Sequence, residues 1–183
     1  PGVYFWLDKK GGVLYVGRAT SLKSRLSQYF QKRIDARISE MVEQAADLKY
    51  ETTDNLLEAI ILEAKNIKKF WPKYNIVDRD DRSFIYVVIP KTEYTKPLIV
   101  RATDLKKFPT AKARVFGPYQ SFYLLQNALK IIRRIFPYGL CRPNSGKACF
   151  DYQIGLCPGS CLGKISAKDY QKNIDNIILL LSG

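Results

Sequence analysis

The stretch GVYFWLDKKGGVLYVG, residues 2–17, contains two short runs of aromatic and β-branched residues. A polar, glycine-rich segment from Asp8 to Gly12 separates the two runs and has the composition of a tight turn. The pattern predicts a β-hairpin made of Gly2–Leu7 and Val13–Gly17. A similar run at Leu48–Thr53 predicts a third strand.

Apolar residues that recur every three or four positions predict helices around this hairpin. A basic amphipathic helix begins at Ser21, a second helix covers Ala36–Ala46, and a long third helix ends near Phe70. Thr53 or Asp54 is expected to cap the third helix, because short polar side chains accept hydrogen bonds from the first free N–H groups.

The second half of the sequence predicts two further strands and two helices. The strands cover Phe84–Ile89 and Leu98–Ala102, and the helices cover Phe122–Ile135 and Ser166–Leu181. A charged cluster at residues 79–82 precedes them. We therefore divide the chain into a first domain, a segment of connecting strands and basic linker, and a basic cysteine-rich unit, at residues 1–78, 79–115 and 116–183.

The composition is that of a globular protein with an unusual charge. The chain has 183 residues, of which 46% are hydrophobic, and 30 Lys and Arg oppose 17 Asp and Glu to give a net charge of +13. Such an excess points to a polyanionic partner such as nucleic acid. Histidine is absent, which excludes every catalytic triad that needs an imidazole. No run of about 18 apolar residues exists, so we expect no membrane partner and a cytoplasmic location.

A long basic segment is the expected DNA-binding surface. Residues 105–150 include nine Lys or Arg and no acidic residue. Contacts from such residues neutralise phosphates without reading bases. The alternative is a solvated face with no partner. The residues expected to contact DNA are Lys106, Lys107, Lys112, Arg114, Lys130, Arg133 and Arg134.

Glu63 interrupts the apolar stripe of the third helix. It lies three residues after Ile60 and four before Ile67, which places its carboxylate on the buried side. A buried carboxylate needs a cation, a hydrogen-bond donor or a metal ion as its partner. An ordinary ion pair at the edge of the stripe is the simpler alternative.

Tyrosines and arginines converge where the hairpin meets the first helix. Tyr4 and Tyr15 lie on the two strands, Arg18 follows the second strand, and Arg25 and Tyr29 are four residues apart on one helical face. Arg binds phosphate in a bidentate manner, and Tyr can transfer a proton where no histidine is available. A phenol has a pKa near 10, so nearby cations must lower it for this role. The alternative is that these tyrosines fill the core and the arginines are solvated.

Four cysteines lie in the basic unit, at Cys141, Cys149, Cys157 and Cys161. No secretory signal is visible, which makes two disulfides the less favoured interpretation. The spacing lacks the Cys-x₂-Cys pairs of most zinc sites, and four thiolates can equally hold an iron–sulfur cluster. An unoccupied group of buried thiols is the remaining alternative.

These motifs, in this order, resemble the GIY-YIG nucleases, and most closely the UvrC family of bacterial nucleotide excision repair. The likeness extends over essentially the whole chain. Arg18 departs from the pattern, since the family usually has Lys there, and Arg is a poor proton relay. The residues that carry the resemblance are Gly2-Val3-Tyr4, Tyr15-Val16-Gly17, Arg25, Glu63, Pro72-Lys73-Tyr74-Asn75-Ile76, Phe116-Gly117-Pro118-Tyr119 and the four cysteines.

The resemblance implies an α+β chain, in which a GIY-YIG fold with a small three-stranded antiparallel sheet and flanking helices precedes the basic cysteine-rich unit. It also implies that Glu63 holds one Mg²⁺ or Mn²⁺ ion and that Arg25 clamps the scissile phosphate. Tyr4 or Tyr15 would take the proton from the attacking water. Arg18 and Tyr29 would tune and position these groups, and Asn75 would hold the site together.

The function implied is incision of DNA on the 3′ side of a lesion. The implied partners are damaged double-stranded DNA and a UvrB–DNA complex, with the UvrB-binding region outside this chain. The cysteines are implied to hold a [4Fe–4S] cluster, with Zn²⁺ as the alternative. Two other functions compete: a non-catalytic DNA-binding module on this scaffold, and a redox-responsive iron–sulfur unit that controls DNA binding.

Overall fold

A computed structural model describes residues 1–31, 35–75 and 84–183 of the chain. The chain divides into two compact units. The first takes the described residues up to Asn75 together with Gly117–Tyr119 and Gly183, and the second takes Phe84–Phe116 and Gln120–Ser182. The expected boundary at residue 78 and the charged cluster at 79–82 lie outside the described residues.

The first unit contains a three-stranded antiparallel sheet in the order β2-β1-β3. The strands are β1 (Gly2–Leu7), β2 (Val13–Ala19) and β3 (Asp47–Thr52), which confirms the predicted hairpin and third strand. The Asp8 carboxylate fixes the turn by accepting hydrogen bonds from the N–H groups of Lys10 and Gly12, both at 2.8 Å. The sheet places β2 at an edge.

Three helices pack on this sheet: α1 (Leu22–Ser27), α2 (Ala36–Gln44) and α3 (Leu56–Phe70). The first predicted helix is shorter than expected, because Gln28–Phe30 continues as a 3₁₀ turn. The predicted cap of α3 at Thr53 or Asp54 is wrong. Asn55 caps the helix, and its side-chain oxygen accepts a hydrogen bond of 3.0 Å from the Glu58 N–H.

The two faces of the first sheet bury different side chains. Val3 and Val16 pack against α3, together with Ala59 and Ile67 of that helix. Tyr4 and Trp6 point to the opposite face, where Tyr29, Met41 and Tyr74 complete a second cluster. This alternation follows from the period of two along a strand.

The chain contains another three-stranded sheet, in the order β5-β4-β6. The strands β4 (Ile85–Pro90) and β5 (Leu98–Arg101) match the sequence prediction to within a residue at each end. The third strand, β6 (Ala113–Tyr119), was not predicted: residues up to 115 were expected to be linker, and residues 116–119 to begin the cysteine-rich unit. It contains Gly117-Pro118, and proline is found on edge strands such as this one because it has no N–H for the ladder.

The helices of the second unit are α4 (Phe122–Ile135), α5 (Phe150–Gln153) and α6 (Ala167–Ser182). The prediction for α4 is confirmed at both ends, and α6 is shifted by one residue. Tyr170 of α6 holds two loops in place, because its hydroxyl donates to the Thr95 carbonyl at 2.8 Å and accepts from the Gly139 N–H at 3.0 Å. Among the described residues, no helix combines the length and the apolar character that crossing a membrane requires.

Candidate active site and cysteine cluster

Three of the predicted catalytic side chains meet on the tyrosine-bearing face of the first sheet. The hydroxyls of Tyr4 and Tyr29 are 2.8 Å apart, and Arg25 Nε donates a hydrogen bond to the Tyr4 hydroxyl at 3.3 Å. The Arg25 guanidinium also lies over the Tyr29 ring, at 5.5 Å from its centroid. The structure therefore brings Tyr4 of the first strand next to Arg25 and Tyr29, which the sequence placed on one face of a helix.

Tyr15 lies beside this group and Gly17 makes room for it. The centroids of the Tyr4 and Tyr15 rings are 6.1 Å apart. A Cβ atom at Gly17 would lie 2.5 Å from the Tyr4 hydroxyl and 2.7 Å from the Tyr15 ring, far closer than two non-bonded atoms can approach. The glycine of the second strand is therefore required because the tyrosine of the first strand crosses over it.

Burial holds the phenols of Tyr15 and Tyr29 in the protonated form. It raises the pKa of Tyr15 to about 12, with a further increase from Tyr4, and Arg25 opposes this. Burial also raises the pKa of Tyr29, again against the influence of Arg25. The hydrogen bond with Tyr4 raises the pKa of Arg25 itself. The expected effect of arginine is present, but it is smaller than the effect of burial, so the protein groups alone leave both tyrosines neutral at pH 7.

Glu63 and Arg18 form an ion pair on the other face of the sheet. Glu63 is only 3% exposed, as its position in the apolar stripe of α3 predicts, and the Arg18 side chain is also largely buried. Arg18 is paired with Val3 across the β-ladder, and Val3 packs against α3. Burial lowers the pKa of Arg18, while Tyr15 and Tyr4 act in the opposite direction. Arg18 thus lies within electrostatic reach of both the carboxylate and the phenols.

The surroundings of Glu63 fit a metal ion held by one protein ligand. A buried carboxylate attracts a cation strongly, and its oxygens are the ligands that Mg²⁺ prefers. Among the described residues, the groups of three or more potential ligands do not include Glu63. Waters or substrate oxygens would therefore supply the remaining coordination positions, which is the usual arrangement for Mg²⁺.

Asn75 closes the exposed edge of β2. Its side chain accepts a hydrogen bond from the Val16 N–H at 2.7 Å and donates one to the Val16 carbonyl at 2.6 Å. The neighbouring Tyr74 N–H donates to the Leu14 carbonyl at 3.0 Å. These bonds occupy backbone groups that an edge strand would otherwise leave unpaired. They hold β2, the strand that carries Tyr15, in place.

The four cysteines come together in the second unit. Their Sγ atoms all lie within 4.8 Å of one another, with 3.7 Å between Cys141 and Cys157 and 3.6 Å between Cys149 and Cys161. The thiols are not bonded as disulfides, which would require about 2.05 Å. Four sulfurs arranged tetrahedrally at about 2.3 Å from one ion would be separated by about 3.8 Å. These distances suit four thiolates that share one metal ion.

Ser160 is a member of this cluster that the sequence did not single out. Its hydroxyl is 3.6 Å from Cys157 Sγ, and the side chain is almost fully buried. Burial raises the pKa of Cys157, but hydrogen bonds with Ser160, the Gly159 N–H, Cys141 and Cys149 together outweigh it and lower the pKa to about 7. Burial raises the pKa of Cys141 to about 12. The only sequence signal for Ser160 was its position between the last two cysteines.

The residues expected to bind DNA fall into two groups. Arg133 is 8% exposed and makes an ion pair of 2.7 Å with Asp151, a hydrogen bond of 2.9 Å to the Tyr138 carbonyl, and a contact with the Tyr138 ring. The prediction that Arg133 faces DNA is therefore wrong, because its side chain is used inside the protein. Lys107 is exposed but paired with Asp104. The others are exposed: Lys106, Lys112, Arg114, Lys130 and Arg134.

Two known families match the two units. The family described as the UvrC-like GIY-YIG domain matches residues 1–76, and the one described as the UvrC/Cho excinuclease middle domain matches residues 84–180. The whole chain is 35% identical to the UvrABC system protein C of Caldanaerobacter subterraneus and 39% identical to that of Clostridioides difficile. It spans about 30% of the length of these relatives.

A solved structure of similar sequence is the GIY-YIG N-terminal endonuclease domain of UvrC from Thermotoga maritima, bound to its catalytic divalent cation, magnesium. It is 40% identical, and the match covers 41% of this chain and 82% of that chain with a TM-score of 0.39.

Proposed function

Since the chain belongs to the UvrC/Cho excinuclease family, we propose that it is a metal-dependent DNA endonuclease module that cuts on the 3′ side of a lesion. The observation that carries this proposal is the buried carboxylate of Glu63 on α3. It pairs with Arg18 of the edge strand β2. The opposite face of the same sheet holds Tyr4 and Tyr15, with Arg25 of α1 bonded to Tyr4. The proposed substrate is damaged duplex DNA bound by UvrB, and the proposed location is the cytoplasm.

Glu63 would hold one Mg²⁺ or Mn²⁺ ion. The ion would supply positive charge against the negative charge that develops on the phosphate and the leaving oxygen. Arg18 already balances the carboxylate, so the ion must share Glu63 with this guanidinium or displace it. The contribution of the chain is one buried carboxylate, held in place by its ion pair with Arg18.

Arg25 is the proposed clamp for the scissile phosphate. Its guanidinium is half-buried, with Nε fixed by Tyr4 and the NH1 nitrogen donating to the Gln28 side chain at 2.8 Å. The contact with Gln28 is exposed, so a phosphate can replace it at little cost. Two parallel N–H donors then match two phosphate oxygens.

Tyr15 is the better placed of the two phenols to accept the proton of the attacking water. Tyr4 is only 1% exposed and its hydroxyl already contacts Tyr29 and Arg25, whereas Tyr15 is half-buried and can meet a water. Its raised pKa must fall before it can act as a base, and a cation at Glu63 would have this effect. Tyr4, Tyr29 and Arg25 would orient the site, and Asn75 would keep β2 in place.

A nicking assay with a matched control tests the nuclease. Full-length protein carrying Glu63→Gln, assembled with UvrA and UvrB on lesion-containing duplex with Mg²⁺ or Mn²⁺, should lose the 3′ incision by about 100-fold or more. It should keep its DNA affinity. Glu43→Gln, an exposed change on α2, should cut like the native protein. Undiminished 3′ incision by Glu63→Gln would exclude the proposed role and leave a non-catalytic DNA-binding module.

The cysteine cluster is proposed to hold a [4Fe–4S] cluster. The family resemblance supports iron–sulfur, while the short Sγ–Sγ distances suit a single Zn²⁺ ion, because each thiolate of a four-iron cluster binds a different iron and the sulfurs lie farther apart. Metal analysis of anaerobically purified protein separates the two. About four irons per chain and visible absorption are expected; one zinc and a colourless protein would establish the alternative.

Reversible oxidation of such a cluster is the observation that would favour a redox-responsive DNA-binding unit. In that case, DNA affinity measured at fixed salt would change on oxidation and return on reduction. Affinity that stays constant across both states leaves the cluster with a structural role.

A further inference from the structure

Helix α4 presents large apolar and basic side chains to solvent. Its inner side packs with Leu125, Leu129 and Ile132, as an amphipathic helix should. Its outer side is not simply polar, since Tyr123 is 69% exposed and Ile135 is 59% exposed. We define the outer face of α4 by six exposed residues: Phe122, Tyr123, Lys130, Ile131, Arg134 and Ile135.

The exposed side chains of this face lie in two neighbouring rows. Phe122, Lys130 and Arg134 are separated by multiples of four and form one row along the helix. Tyr123, Ile131 and Ile135 lie in the adjacent row, one residue further on. An extended ligand that follows the helix would therefore meet an aromatic ring at one end and two cations further along.

The charge of this face favours an anionic ligand. Helix α4 contains no acidic residue, and among the described residues no ion pair involves Lys130 or Arg134. A protein partner that covered the two isoleucines would also have to neutralise both cations. A nucleic-acid strand supplies the anions and the apolar surface together, because each nucleotide carries a phosphate and a base.

A cavity of about 500 Å³ lies next to the aromatic end. Phe122 forms part of its wall, with Ile99, Val100 and Phe108 as other apolar lining residues. Arg101 and Lys107 also line it, and Asp104 is bonded to Lys107. Apolar walls with a few polar groups are typical of sites that bind a small ligand or a part of a larger one.

We propose that the outer face of α4 binds unpaired DNA, with bases stacking on Tyr123 and Phe122 and phosphates bound by Lys130 and Arg134. The inference rests on the proposed nuclease function, which supplies DNA as the substrate. Unpaired DNA is favoured over duplex because stacking needs an exposed base face, and a paired base offers only its edges and backbone. The phosphate contacts of the same face are shared by both forms of DNA.

The test compares single-stranded and duplex binding by one variant and a matched control. The probes are a labelled oligothymidylate and the same strand paired with oligodeoxyadenylate, titrated at one salt concentration by fluorescence anisotropy. Tyr123→Ser should weaken binding of the single strand by about fivefold or more and leave duplex binding unchanged, because only the stacked base is lost. Tyr50→Ser, which removes a tyrosine of similar exposure from β3, should change neither.

A second variant separates phosphate binding from stacking. Lys130→Gln should weaken the binding of both probes and reduce the slope of log K against log salt by about one, or somewhat less for the single strand. Tyr123→Ser should leave this slope unchanged. Lys168→Gln, an exposed change on α6, is the control for a general loss of charge.

The proposal is overturned if Tyr123→Ser binds the single strand as tightly as the native chain, or weakens both probes equally. Sedimentation measurements identify the competing occupant: if the chain self-associates and Ile135→Ser abolishes this without affecting DNA binding, the face is a protein interface. The nicking assay reports separately on Glu63. Undiminished incision by Glu63→Gln together with the expected Tyr123 effect would show that only the nuclease proposal has failed. Loss of incision by Glu63→Gln without the Tyr123 effect would show that only the present proposal has failed.

Discussion

Gly17 has no side chain, and the Tyr4 ring occupies the space that a side chain would take. A methyl group there would meet Tyr4 Cζ and the Tyr4 hydroxyl at 2.5 Å, and both atoms are held by the contacts of Tyr4 with Tyr29 and Arg25. We expect Gly17→Ala to lower the free energy of unfolding by about 1–3 kcal/mol, the usual cost of overpacking a core. Urea unfolding measures this change.

The control for this prediction is Gly12→Ala in the hairpin turn. There the new methyl group would meet the carboxylate of Asp8, a side chain that can shift but only by weakening its hydrogen bonds to the turn. The free energy of unfolding should fall by about 1 kcal/mol or less, the usual contribution of one hydrogen bond, and by less than in Gly17→Ala. Equal stability of the two variants would show that Tyr4 does not need the space above Gly17.

The raised pKa of Tyr15 predicts a loss of stability in alkali. The phenol titrates near 10.0 in the unfolded chain and at about 12 in the folded one, mainly because it is buried. The folded state therefore holds the proton more tightly, and the free energy of unfolding falls as the pH rises from 10 to 12. Without metal, Tyr15→Phe should show a shallower fall over this range by urea titration at several pH values. Identical slopes for the two proteins would contradict the prediction.

Arg133 and Arg134 are adjacent in sequence and have different roles. Arg133 is bonded to Asp151 and the Tyr138 carbonyl inside the protein, whereas Arg134 is exposed. We expect Arg133→Met to cost about 2–4 kcal/mol of stability, because it leaves Asp151 without its cation. Arg134→Met should cost less than about 0.5 kcal/mol and weaken DNA binding instead. A stable Arg133→Met variant with reduced DNA affinity would reverse this assignment.

At the scale of elements, strand β2 depends on the residue that covers its edge. Asn75→Ala would leave the Val16 N–H and carbonyl without partners, and we expect a loss of about 2–3 kcal/mol in the free energy of unfolding. The Val16 amide should also exchange faster with solvent. Asn66→Ala, which removes one hydrogen bond to the Leu62 carbonyl of its own helix, should cost about 1 kcal/mol or less. Slow exchange at Val16 in the Asn75 variant would show that the clamp is dispensable.

At this scale, an element was predicted correctly when the residues that determine it lie within its own segment. Helix α4 was predicted at both ends because its apolar period lies within the segment itself. Strand β6 was missed because Lys112 and Arg114 fit a basic linker and residues 116–119 were assigned to the cysteine-rich unit. Only pairing with the distant β4 makes the segment a strand. The α3 cap was misplaced by one or two residues for a related reason, since three polar residues in a row are equally suited to capping.

At the scale of the whole molecule, the sequence proposed a set of site residues but could not predict how they pair. The resemblance to known motifs placed Tyr4, Tyr15, Arg25 and Glu63 in one site, and the periodicity of α3 predicted that Glu63 is buried. The Arg18–Glu63 pair could not be predicted, because it depends on the register of β2 against β1 and on the packing of α3. For the same reason the sequence did not predict that Arg133 is bonded inside the protein, because its partner Asp151 is 18 residues away.

A calorimetric titration of the chain with Mn²⁺ tests the central claim most directly, because it detects the ion at Glu63 without requiring DNA or partner proteins. Mn²⁺ prefers oxygen ligands, so the cysteine cluster should not contribute. The native chain should bind one ion, and Glu63→Gln should abolish this binding while Glu43→Gln preserves it. Mn²⁺ binding that is unchanged in Glu63→Gln would contradict the assignment of Glu63 as the metal ligand.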